Sequence, residues 1–176
     1  MDLITRINRT RFLGREFLVW LWYESDLKEG RISEEGDGVE VWFDGRLVLE
    51  ASGDIKEQSV IKSESPTETG EAREALRSGK LPIDARLRVI SGQKQWTTNL
   101  KAQELQLHGT KLPALLTEGD EEGLYERFYL MEELENIIEH LYAQFIAIRL
   151  DDDGWRDKVT ELRAWVAAGG IVAEDN

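Results

Sequence analysis

The chain has 176 residues, 41% hydrophobic and 32% charged, which is enough for one packed core and excludes intrinsic disorder. It holds no cysteine, which excludes a disulfide framework, a thiolate zinc site and a cysteine nucleophile. The net charge of −13 is polarised: residues 1–15 carry Arg6, Arg9, Arg11 and Arg15 against Asp2 (+3), residues 73–111 carry eight Lys/Arg against Glu74, Asp84 and Glu104 (+5), and the remainder sums to −21.

The start, Met1-Asp2-Leu3-Ile4, has no basic segment followed by an apolar one, so it does not read as a signal peptide. Residues 10–25 predict a short helix, with Leu13, Phe17, Trp20 and Leu21 on one face at helical spacing. The apolar run continues through Trp22 and Tyr23, so more than one face is covered, and its tryptophans are expected as core anchors. At seven residues, Phe17–Tyr23 is the longest apolar run, against the ~20 that a membrane-spanning helix needs. No membrane partner is expected, and a cytoplasmic location is.

Residues 28–38 are polar and Gly-rich and predict a loop. In VEVWFDGRLVLEA, Val39, Val41 and Phe43 alternate, Asp44-Gly45 follows, and Leu47, Leu49 and Ala51 alternate again. Asp-Gly between alternating runs predicts a two-residue hairpin, because its turn needs positive φ at both positions. A further strand is expected around Gln58–Lys62. Ser65-Pro66-Thr67-Glu68 predicts a helix start, with Ser65 as N-cap, Pro66 at N1 and Glu68 completing a capping box. That helix runs through Ala72, Ala75 and Leu76 and ends at Gly79. Arg73, Arg77 and Lys80 recur at i, i+4 and i+7 and predict a basic edge beside the narrow apolar stripe.

From Ile83 to Leu107 the period returns to two. Ala85, Leu87 and Val89 alternate with Arg86 and Arg88, and Trp96, Leu105 and Leu107 follow the Ser91-Gly92 turn. A sheet with one buried and one wet face shows this alternation. Arg86, Arg88 and Lys94 are then expected on the wet face. After the acidic loop at Glu118–Glu122, Leu124, Phe128, Met131, Leu134, Ile138, Leu141, Phe145 and Ile148 predict the longest helix, with Tyr125–Leu130 open to a strand reading. Asp151–Gly154 breaks the chain, and Trp155, Val159, Leu162 and Val166 predict a last helix ending at Gly169-Gly170. The expected fold is a single α+β domain over 1–176: an antiparallel sheet of hairpins covered by helices, with an N-terminal helical segment at about 10–25 and long helical structure at about 120–169.

No GxGxxG, P-loop, GxSxG, HExxH or paired Cys/His motif occurs. His108 and His140 have no partner at ligand spacing and are expected as solvated or core-edge residues. Asp151-Asp152-Asp153 lacks the alternating order of a calcium loop and is expected to favour a helix N-terminus. A two-metal nuclease built from scattered carboxylates has no spacing that requires it. No catalytic residue, metal or cofactor is expected.

One family resemblance emerges from the order of these segments. Ser59-Val60-Ile61, Glu71, Gly79-Lys80-Leu81, Ala85-Arg86-Leu87-Arg88-Val89, Lys94-Gln95-Trp96 and Arg127-Phe128-Tyr129-Leu130-Met131-Glu132-Glu133-Leu134 follow one another as in the C-terminal portion of the recombination-associated protein RdgC. Phe12-Leu13-Gly14-Arg15-Glu16-Phe17-Leu18 with Trp20-Leu21-Trp22 is similar to a segment of some RdgC-like proteins. The resemblance, from about Gly53 to Leu141, implies a non-enzymatic protein that binds DNA without sequence preference and modulates recombination. Only Met1–Thr10 precede the shared segment, where the family has a long region that helps close a ring-shaped dimer. Ser63-Glu64-Ser65 stands where some members are basic and polar. Both departures imply weaker DNA affinity than the family's. Under this reading Arg73, Arg77, Lys80, Arg86, Arg88 and Lys94 contact phosphates, positioning the protein without reading bases. The alternative is a protein-interaction module, acidic and aromatic, that binds a protein partner without DNA. A homo-oligomer is also expected, from the apolar long helix and from exposed surface at Trp20, Trp22 and Trp42.

Overall fold

The run Phe17–Tyr23 is apolar all round because its helix is buried on two sides. In the computed structural model, which describes residues 3–33 and 38–170, helix α1 spans Leu3–Leu27. The side chains of Arg6, Arg9 and Arg11 lie outside the described residues. From Phe17 to Tyr23 every side chain is buried. Trp22 meets Phe43 of the sheet at 6.2 Å and Trp165 of the last helix at 5.5 Å, while Phe17 meets Tyr142 and Phe145 at 5.3 and 5.7 Å. A helix between a sheet and other helices can keep no polar face.

Six antiparallel strands follow: β1 (Arg31–Ser33), β2 (Val39–Glu50), β3 (Gln58–Ile61), β4 (Leu81–Ser91), β5 (Lys94–Lys101) and β6 (Gln106–Lys111). Their order is β1-β2-β4-β5-β6, with β3 also paired to β2. Val41, Phe43, Leu47, Leu49, Leu87 and Val89 are buried on the helix-facing side, as the alternation predicts. Trp96, Thr98 and Leu100 of β5 join them.

The Asp44-Gly45 hairpin is overturned. β2 is one continuous strand, and Asp44-Gly45 sits in its middle, where the register with β4 steps from Phe43↔Leu87 to Leu47↔Ala85. Four positions on β2 thus oppose two on β4, a bulge that Gly45 permits with φ +78°. Because the step is even, Phe43 and Leu47 stay on the same face, and the alternation alone matches a turn equally well. The strand cannot fold back here: β4 pairs along β2 on one side, and β1 and β3 on the other.

The capping box is also corrected. Ser65 makes no side-chain cap, and Pro66–Glu68 form one 3-10 turn. Helix α2 starts at Gly70 and runs to Arg77, capped by Thr69, whose hydroxyl accepts from the Ala72 amide at 3.2 Å and donates to the Pro66 carbonyl at 2.8 Å. It does end as predicted, with Gly79 at φ +91°.

Helix α3 (Asp120–Leu150) is the longest, so Tyr125–Leu130 is helical rather than extended, and its 31 residues reach about 46 Å. Helix α4 (Asp152–Ala168) follows after Asp151 alone, and Gly169 ends it at φ +76°. Leu130, Leu134, Ile138, Leu141 and Phe145 of α3, and Leu162 and Trp165 of α4, close the core over α1. Trp96 Nε1 donates to the Leu130 carbonyl at 3.0 Å, tying α3 to the sheet. No described helix is long and apolar enough to cross a membrane.

Candidate functional site

The face of β4, β5 and β6 turned away from the core is built by the pleat. Residues two apart share a face, so Asp84, Arg86 and Arg88 stand together on β4, and Thr97, Asn99 and Lys101 on β5. The register sets Arg88 beside Thr97, Arg86 beside Asn99, and Asp84 beside Lys101. On β6, His108 pairs with Asn99 and Lys111 with Thr97, across a one-residue bulge at Gly109, where φ is +61°. Asn99 closes that bulge by donating from Nδ2 to the His108 carbonyl at 3.2 Å. All these side chains are half-buried or exposed.

Four cations on this face have no ion pair or hydrogen bond among the described residues: Arg86, Arg88, Lys101 and Lys111. Strands about 4.8 Å apart with about 6.8 Å between same-face neighbours put all four within about 15 Å. The Arg86 stem lies over Gly45, whose added Cβ would come within 3.4 Å of its Cδ. The Arg88 Nε is buried without a partner, an orphan donor on a face otherwise rich in donors. Asp84 is the main anion here, and it is held by Arg46 at 3.2 Å, with His108 Nε2 at 3.5 Å.

The other predicted contacts lie elsewhere and are occupied. Arg73 is 13% exposed, paired to Asp26 at 2.6 Å and stacked 5.1 and 5.3 Å from the Trp22 and Trp165 rings. Lys80 donates to Glu57 at 2.8 Å and to Ser59 at 3.0 Å, and its contact holds the Glu57 carboxyl below the usual carboxylate range. Arg77 is more exposed but pairs with Glu74 at 3.2 Å and reaches the Val166 carbonyl. The basic edge of α2 is therefore largely an anchor for α1, α4 and β3. Lys94 corrects the wet-face expectation: it shares the parity of Trp96 and bonds Glu133 of α3 at 2.9 and 2.7 Å. Only Arg86 and Arg88 of the six remain together as free cations. Lys101 and Lys111 join them, legible only once the β4–β5 and β5–β6 registers are known.

The core-anchor expectation for Trp20 and Trp22 holds, and the exposed-surface expectation for them does not. Trp20 and Trp22 are buried, at 3% and 0% exposure, whereas Leu116, Leu124, Tyr125, Phe128 and Tyr129 are exposed. Asp151 occupies the N-cap of α4 without a side-chain cap bond, and Asp153 pairs with Arg156. Among the described residues no group of three or more His, Asp or Glu is placed to hold a metal ion.

No family model matches the chain, and neither does any curated protein or solved structure.

Proposed function

We propose that the chain is a non-enzymatic, RdgC-like DNA-binding module that holds the phosphate backbone against the wet face of its sheet and modulates recombination. One observation carries this reading: four unpaired cations on three adjacent strands of one face, in a protein whose net charge is −13. Free cations are the ones that bind phosphate at least cost, since a paired Arg must first give up its carboxylate. Thr97 and Asn99 between them add neutral groups suited to phosphate and sugar oxygens. Contacts to phosphate carry no sequence information, so binding is expected without sequence preference.

Four contacts give a slope of log K against log salt of about −3.6 for duplex DNA. The test is fluorescence anisotropy with two unrelated duplexes across a salt series. Arg86→Ala with Arg88→Ala should flatten the slope by about two units without changing preference between the duplexes. Arg77→Ala, on the α2 edge, should leave it unchanged. An unchanged slope in the double variant, or no binding at low salt, sinks the reading.

A further inference from the structure

The first third of α3 is apolar on the side turned away from the core. With 3.6 residues per turn, Tyr125, Phe128 and Tyr129 fall on the side opposite Leu130, Leu134, Ile138 and Leu141, which are buried, and Leu124 lies on its flank. Phe128 is 64% exposed and Tyr129 69%, and Leu116, in the segment latched to α3 by Glu126, is 92% exposed. Exposed aromatics grouped in this way mark a contact surface more than scattered single residues do. Beside Tyr129 a groove of about 540 Å³ is lined by Val39, Ile137, Leu141, Glu132 and Glu133.

The charge around this patch selects the occupant. Residues 118–139 contain nine carboxylates and one basic residue, Arg127. Glu126 is held by Leu116 and Thr117, and Glu133 by Lys94; the other seven have no partner among the described residues. A second copy fits badly. Antiparallel pairing of two α3 helices about Tyr125 and Phe128 would set Glu121 against Glu132, and like charges at such contacts are unfavourable. Nucleic acid is repelled by the same carboxylates.

We infer that this face of α3 docks a basic amphipathic helix of a protein partner. Its apolar anchors would lie on Tyr125, Phe128 and Tyr129, and its Lys or Arg residues among Glu121, Glu132 and Glu135. The recognition mode is helix against apolar surface, with anchors at i, i+3 and i+4 and carboxylates setting orientation and on-rate. It uses the side of the molecule remote from Arg86 and Arg88 and stands whether or not DNA binds the sheet.

The test uses the full chain and a fluorescein-labelled synthetic Leu/Lys amphipathic helix. A Leu/Glu helix of the same pattern and a scrambled Leu/Lys peptide serve as controls. Anisotropy should rise with the Leu/Lys helix only. Phe128→Ser with Tyr129→Ser should weaken binding at least tenfold while the melting temperature holds, since both side chains are exposed. Equal binding of the scrambled peptide, or unchanged binding by the double variant, overturns the proposal. So does sedimentation of the chain alone as a dimer that the double variant abolishes, because the occupant is then a second copy.

Discussion

Arg73 and Asp26 meet at 2.6 Å across α2 and α1, and the same carboxylate oxygen accepts the indole N–H of Trp165 at 3.0 Å. The guanidinium lies over two tryptophan rings, so it joins α1, α2 and α4 in one contact. Arg73→Ala is expected to cost about 2–3 kcal/mol in urea unfolding, because it strands a part-buried carboxylate. Arg86→Ala should change stability by no more than about 0.5 kcal/mol. The pair of measurements separates a cation that holds the fold from one that is free to bind.

Gly14 sets how closely α1 can lie on the end of the sheet. An added Cβ there would fall 1.6 Å from the Ala102 carbonyl oxygen, with backbone on both sides of the clash. Gly14→Ala should therefore destabilise by about 3 kcal/mol or more, read as a lower urea midpoint with an unchanged slope.

The bulge in β2 gives a milder test. Gly45→Ala puts a side chain in the left-handed region and should cost about 1–2 kcal/mol. The added Cβ would meet the Arg86 stem only at ordinary contact distance, 3.4 Å from Cδ, so the cost is expected from the backbone rather than from that contact. A Gly45→Ala variant as stable as the parent would show that the bulge does not depend on glycine.

Glu126 predicts a pH dependence. The Thr117 hydroxyl and the amides of Leu116 and Thr117 all donate to its carboxylate and hold it below the usual range. A depressed carboxylate supports the contact above its ordinary pKa and loses it as pH falls through the lowered value. The amide shifts of Leu116 and Thr117 should titrate with a midpoint below about 4.3, and Glu126→Gln should abolish that titration.

The period-two pattern was enough to place Val41, Phe43, Leu47, Leu49, Leu87 and Val89 in the core, because alternation depends only on the pleat. It was not enough to place Asp44-Gly45, since a bulge with an even step keeps the same residues inside as a turn does. Charge spacing put Arg73 and Arg77 on one edge of α2, but Lys80 lies past the end of that helix, and none of their partners was legible. Asp26 is 47 positions away from Arg73 in sequence, and no local pattern announces it. Lys101 and Lys111 escaped for a related reason. Each is unremarkable in its own strand; the β4–β5 register sets Lys101 on the face of Arg86 and Arg88, and the β5–β6 register, with the extra residue at Gly109, brings Lys111 there. The resemblance segment at Arg127–Leu134 was read for order alone, while its exposed aromatic side becomes visible only when the buried side is known.

The shared strand β2 has a consequence for how the chain assembles. Val41 pairs with Val89 and Leu47 with Ala85, so the central pair forms only after β3 and α2 have been looped out. The β4–β5 hairpin, with Ser91 opposite Lys94, closes locally and needs no such excursion. Loop-closure entropy therefore favours an early β4–β5 ribbon, with β2 arriving late and carrying β1 and β3 with it. Until then Leu87, Val89 and Trp96 present an unclaimed apolar face beside an unpaired strand edge. That interval is when the chain is most prone to associate with another unfolded copy of itself.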